Sequence, residues 1–116
     1  MQIDIVSRSG FEVDEGVRDQ VRRRFASVGR QVSEHARLEI VLREEANPSI
    51  VDKYVAEATL RLKRVTLHAE ESSPHMQGSI KELSLDMRRQ VKRHRELRRK
   101  RSTTRRLVGR VRGREA

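Results

Sequence analysis

Fourteen of the 27 lysines and arginines in this 116-residue chain fall in its last 29 residues, where only two acids accompany them. Residues 88–116 thus carry a net charge of +12, whereas residues 1–87 hold 13 cations against 15 acids. Like charges at that density repel one another and leave little apolar surface to bury, so the basic end cannot supply a core of its own. A core has to be built from the residues before it, and the excess charge has to be matched from outside. Enough material exists for that, because Leu, Ile, Val and Phe account for 29 residues, above the roughly 20% below which a highly charged chain stays unfolded. One domain is the expected count for this length. With Phe11, Phe25 and Tyr54 as the only aromatics, its core is small.

Several classes drop out. Without cysteine there is neither a disulfide scaffold nor a Cys-based zinc site. No run approaches the ~18 apolar residues of a membrane span, and the opening MQIDIVSRSG lacks a signal peptide's apolar stretch. A cytoplasmic protein is therefore expected. Of the 27 cations, 22 are arginine, whose planar fork suits phosphate oxygens and base faces. The expected partner is a polyanion.

The apolar pattern predicts the elements. Gln2–Ser7 alternates, with Ile3 and Ile5 on one face, and Ser9-Gly10 reads as a turn. Asp14 is placed to cap a helix with Glu15 in its first turn, and Val17, Val21, Phe25, Val28 and Val32 follow as one stripe. Leu38, Ile40 and Leu42 mark a half-buried strand, and Ala46-Asn47-Pro48-Ser49 a loop. Tyr54, Ala56, Ala58, Leu60 and Leu62 mark a longer strand, Lys63-Arg64 a hairpin link, and Val65, Leu67 and Ala69 a returning strand. Ser73-Pro74 has the form of a helix start, Ser at the cap and Pro at the first position. Ile80, Leu83, Met87, Val91 and His94 then recur at helical spacing. The expected fold is α+β, a β-α-β-β-β-α two-layer sandwich with both helices on one face of a four-stranded sheet. Its folded domain spans residues 1–98, and 99–116 is expected to be an Arg-rich disordered tail.

Catalytic chemistry finds no support. His35, His68, His75 and His94 have no helical partner at i,i+4 and no flanking carboxylates suited to a metal. The pairs Glu44-Glu45 and Glu70-Glu71 lie on strands, where adjacent side chains point to opposite faces and cannot share a proton. No Gly-rich phosphate loop joins a strand to a helix. No enzyme, metal, cofactor or small-molecule substrate is expected. Two basic groups remain. Arg22-Arg23-Arg24 lies on the first helix, where Asp19 can neutralise Arg23. The run from Arg88 to Arg101 places nine cations in fourteen residues with Glu96 as its one acid, and phosphates are its natural counter-charge.

The stretches Met1-Gln2-Ile3-Asp4-Ile5, Glu12 to Arg18, Arg24-Phe25-Ala26, Ala58-Thr59-Leu60, His68-Ala69, Met76…Ile80, Arg89-Gln90-Val91 and Arg93-His94-Arg95 run in one order over roughly residues 1–98. In that order and spacing the chain resembles the ribosome hibernation promoting factor family, which includes the ribosome-associated inhibitor A proteins, in its short form. The resemblance implies the same β-α-β-β-β-α fold. It also implies binding to the small ribosomal subunit between head and body, where the mRNA channel and tRNA positions at the decoding centre are occupied and translation stops. Basic residues of both helices touch rRNA in that family, which transfers to Arg22, Arg23, Arg24, Arg88, Arg89, Lys92, Arg93 and Arg95. The cation run adds Arg99, Lys100 and Arg101 as expected RNA-binding residues, and a monomer is expected. The chain departs from the family pattern at His75-Met76-Gln77-Gly78-Ser79-Ile80-Lys81, where two acids become His and Lys, a Tyr is lost and a helix-weakening Gly enters.

Two rivals belong to other classes. A double-stranded RNA-binding module has an α-β-β-β-α order contained within this one, but it carries its cations at the start of the last helix rather than after Met87. A basic amphipathic helix acting at a membrane surface needs Trp, Phe or several Leu on its apolar stripe, and Ile80, Leu83, Met87 and Val91 are better spent in a core.

Overall fold

In the computed structural model, residues 1–100 are described in full and residues 101–115 by their helix assignment alone. The elements are β1 (Gln2–Arg8), α1 (Glu15–Gln31), β2 (Arg37–Glu44), β3 (Tyr54–Arg61), β4 (Thr66–Ser73) and α2 (Met76–Glu115). Their order is the expected one. Local chemistry explains several boundaries. After β1 the chain reverses with Ser9 and Gly10 both at positive φ (52° and 78°), and the Phe11 N–H donates to the Arg8 carbonyl at 3.3 Å. Asp14 caps α1, its Oδ1 accepting the Val17 N–H at 2.9 Å. Along α1 the stripe lands as its spacing predicts, with Val21, Phe25 and Val28 fully buried and Val17 and Val32 half-buried.

The sheet order is β1-β2-β3-β4. β1 and β2 are parallel, joined by the α1 crossover, and the other two pairings are antiparallel. The register aligns two apolar rows under the helices: Ile3–Leu38–Leu60–Leu67 and Ile5–Ile40–Ala58–Ala69. The small side chains Ala56, Ala58 and Ala69 lie on the strands against which α2 packs, where they admit Ile80, Leu83 and Met87. Burying one Leu- or Ile-sized side chain contributes about 1.5–3 kcal/mol, so these rows supply much of the stability. A third row, Ser7–Leu42–Ala56–Glu71, puts a carboxylate on the helix side.

Two expectations need correction. Ser73 does not cap α2: it ends β4, paired with Tyr54, and the first helical bond runs from the Ser79 N–H to the His75 carbonyl at 3.1 Å. Its hydroxyl instead accepts the His75 N–H at 3.2 Å and meets the Ser79 hydroxyl at 3.0 Å, closing the Pro74-His75 bend. Ser79 in turn donates to the Tyr54 carbonyl at 2.6 Å, tying the helix start to β3. Gly78 makes room for this knot, since a Cβ there would lie 3.0 Å from Ser73 Oγ. The β3–β4 link is also wider than Lys63-Arg64. It spans Leu62 to Val65, held by the Leu62 N–H donating to the Val65 carbonyl at 2.9 Å. At residue 98 α2 shows no break, Arg99 and Lys100 being helical. From residue 101 onward, the disordered tail expected over 99–116 lies outside the fully described residues.

Candidate nucleic-acid interface

Arg22, Arg23 and Arg24 are all exposed on α1. Arg22 pairs with Asp19 at 3.4 Å, and the Arg23 Nε donates to the Asp19 carbonyl at the same distance. An exposed pair of this kind contributes only tenths of a kcal/mol and is easily exchanged for a phosphate. Arg23 and Arg24 border a shallow cavity with Gln77, at the place where Gln20 Nε2 donates to the Gln77 carbonyl at 3.1 Å. This contact fixes which flank of α2 faces α1.

From Gln77 the geometry of α2 follows by counting 100° per residue. Arg88, Lys92, Arg95 and Arg99 recur at spacings of 4, 3 and 4, within about 60° of Gln77 around the helix. They form one exposed stripe on the α1 side. Arg88 stands eleven residues beyond Gln77, or about 16 Å along the axis. The α1 triplet and the α2 run therefore share a flank without lining one cavity. Arg89 and Arg93 point further round, away from that flank. Among the described residues, none of Arg88, Arg89, Lys92, Arg93, Arg95 and Arg99 has a carboxylate within 4 Å. Lys100 is exposed on the same helix, and the Arg101 side chain lies outside the described residues.

Arg89 has a nearer neighbour. Glu71, on the helix side of β4, faces Asp86 and Glu82 of α2, and burial together with those two like charges pushes its carboxyl above the ordinary range. Arg89 partly offsets the shift. Gln90 bridges the same seam, donating to the His68 carbonyl at 2.8 Å.

Sequence reasoning missed four further cations. Arg37 at the start of β2, Arg61 at the end of β3, and Lys63 and Arg64 in the following turn line a cleft of about 1500 Å³ together with Arg93, Arg95 and Arg98 of α2. Only the strand register brings them together. The far end of the sheet, on the face turned away from the helices, has the opposite character. There Arg43 is held by Glu45, by Glu57 at 3.6 Å and by Glu70 at 3.3 Å. The Glu45 hydrogen bond outweighs burial and keeps the guanidinium firmly protonated. Three acids around one arginine leave that end of the face net negative, whereas Arg37 and Arg61 stand at its other end, so a polyanion is steered to the helices and to the Arg37–Arg61 end of the sheet.

Among the described residues, no helix is long and apolar enough to cross a membrane, and no group of His, Asp and Glu is placed to hold a metal ion. The match to the family model described as sigma 54 modulation protein / S30EA ribosomal protein covers residues 3–99. The fold is similar to that of the Thermus thermophilus Protein Y N-terminal domain, with a TM-score of 0.68 at 23% identity, over 81% of this chain and 99% of that one. A ribosomal subunit interface protein from Coxiella burnetii gives a TM-score of 0.70 at 15% identity, over 83% and 99% of the two chains. No curated protein sequence matches this chain significantly.

Proposed function

Because the chain belongs to the family of sigma 54 modulation and S30EA ribosomal proteins, we propose that it is a ribosome-binding hibernation factor that occupies the mRNA and tRNA channel of the small subunit at the decoding centre. The observation that carries this reading is the exposed α2 stripe of Arg88, Lys92, Arg95 and Arg99, unmatched by any carboxylate among the described residues and set on a helix whose other face closes the core. Phosphates of rRNA supply counter-charge to this stripe and contact Arg89, Arg93, Lys100 and Arg101, and on α1 they take the place of Asp19 beside Arg22 and meet Arg23 and Arg24. Arginine contributes bidentate contacts at these points. The acidic cluster of Glu45, Glu57 and Glu70 around Arg43 turns away from RNA and gives the bound protein one orientation. Translation stops by occlusion, without a chemical step, and the protein acts in the cytoplasm as a monomer.

Co-sedimentation with small subunits, with and without a messenger and initiator tRNA, tests the proposal. Binding should saturate at one protein per subunit and be lost to the competitors. Undiminished binding in their presence would place the protein elsewhere on the ribosome. Equal affinity for an isolated RNA duplex would make it a general duplex-binding module.

A further inference from the structure

The cleft at the end of the sheet differs from the α2 stripe in having a floor. Its rim carries seven lysines and arginines from three separate places: the start of β2, the β3–β4 turn and α2. Among the described residues, no Asp or Glu lines it. Its floor is apolar, formed by Leu62, Val65, Leu67, Val91 and Leu97, and Leu97 is left 48% exposed. Arg37, Arg61, Lys63, Arg64, Arg93 and Arg98 each lack a carboxylate within 4 Å among the described residues.

A rim of unmatched cations around an uncovered apolar floor calls for a ligand with dense negative charge and a flat apolar surface. Single-stranded nucleic acid has both, with a phosphate at every nucleotide and base faces free to leave the stack. A duplex has the phosphates but keeps its bases inside, so it leaves the floor wet. An acidic peptide would need a carboxylate at nearly every other residue to match the same rim. We propose that this cleft is a second RNA subsite that takes a single-stranded segment, its phosphates on the Arg61–Arg64 turn and on Arg93 and Arg98, and one unpaired base on the floor of Leu62, Leu67 and Leu97. The proposal rests on the reading of the chain as an rRNA binder and adds the kind of rRNA element it grips. The planar guanidinium groups of Arg61 and Arg93 are suited to stack on the seated base.

The test uses the full chain, fluorescently labelled hexaadenylate and an RNA duplex of equal phosphate count. Wild-type protein should bind the single strand at least fivefold more tightly than the duplex. Lys63→Glu with Arg64→Glu should weaken single-strand binding about tenfold and lower its log–log salt slope by about 1.4, two contacts' worth. Leu97→Ser removes apolar surface without changing charge, and should erase the single-strand preference while leaving duplex binding unchanged. Circular dichroism confirms that both variants fold. Equal wild-type affinity for strand and duplex, or an unaltered preference in Leu97→Ser, would reduce the cleft to a patch of charge and overturn the proposal. Tighter capture of a Glu-Leu repeat peptide than of hexaadenylate would overturn it in favour of a protein partner. Small-subunit pelleting reads the parent reading separately. Wild-type protein that fails to pellet sinks the ribosome assignment and leaves any strand preference standing. Normal pelleting with no strand preference sinks the cleft alone.

Discussion

Arg37 and Arg61 stand directly opposite each other across β2 and β3, on the same face of the sheet and, among the described residues, with no carboxylate within 4 Å of either. Like charges in that relationship destabilise a sheet by about 0.2–1 kcal/mol relative to a neutral pair. Folding alone would favour an acid at one of the two positions. Glu39 is near enough to show that acids fit on this face, since its partner Thr59 lies two residues from Arg61.

Replacing Arg61 by Glu should therefore stabilise the protein and weaken its hold on RNA. A gain of about 0.5 kcal/mol is expected at low salt, shrinking as salt rises. Urea unfolding at two ionic strengths measures it, alongside hexaadenylate binding, which should fall several-fold. A loss of stability would mean that Arg61 has a structural role that its exposure hides.

The α2 stripe makes a separate prediction. Arg88→Glu, Lys92→Glu and Arg95→Glu together should abolish pelleting with small subunits, since three lost phosphate contacts alone flatten the log–log salt slope by about 2–3 units. All three side chains are exposed and stand apart from the Glu71 seam, so thermal unfolding should be unchanged. Arg89→Glu is expected to behave differently. It removes the cation that partly offsets Glu71 and adds a fourth acid to the seam, so it should cost stability as well as binding.

Glu71 itself sets a pH dependence. Its folded-state carboxyl titrates above the ordinary range, so the fold binds that proton more tightly than the unfolded chain does. The associated stability is present at low pH and is lost as pH rises through the raised value. Glu71→Gln should remove this loss and raise neutral-pH stability by about 0.2–0.5 kcal/mol, the scale of a relieved like-charge pair. Unfolding midpoints across the acidic to neutral range should show the wild-type and variant curves meeting at the acid end and separating above it.

Removing residues 101–116 deletes six arginines and one acid and lowers the net charge from +10 to +5. Every core residue identified among the described residues is kept, so unfolding should barely change. Subunit binding should weaken, with a slope shallower by up to about 5 units if every arginine meets a phosphate. Preference for subunits over generic RNA should survive, because the helices and the cleft remain.

Most of the fold is legible along the chain because its elements are amphipathic one at a time. Val17 to Val32 and Ile80 to Val91 each repeat at helical spacing, and Leu38, Ile40 and Leu42 alternate, so local pattern and burial agree. The start of α2 is not legible in the same way. Ser73-Pro74 has the residue types of a cap, but pairing with Tyr54, nineteen positions earlier, holds Ser73 in the sheet. The candidate site divides likewise. The α2 run declares itself by density in sequence. Arg37 and the Arg61–Arg64 turn are ordinary surface cations until the register of β2, β3 and β4 sets them beside Arg93 and Arg98. One local sign exists, since three of the four residues from Arg61 to Arg64 are cationic around a turn with neither Gly nor Asn.

α2 inserts Ile80, Leu83, Met87 and Val91 into the core and then continues, unbroken, as the cationic arm. The arm keeps its charges in register only while the core holds the helix, so a polyanion that binds the folded form draws the unfolding equilibrium toward it. At a ligand concentration one hundred times the dissociation constant, that linkage adds about 2.7 kcal/mol. A chain of this size and marginal stability thus outlives its free form while it is held, and becomes more open to proteolysis once released. On the proposed function, its lifetime in the cell becomes a readout of how many idle ribosomes remain to hold it.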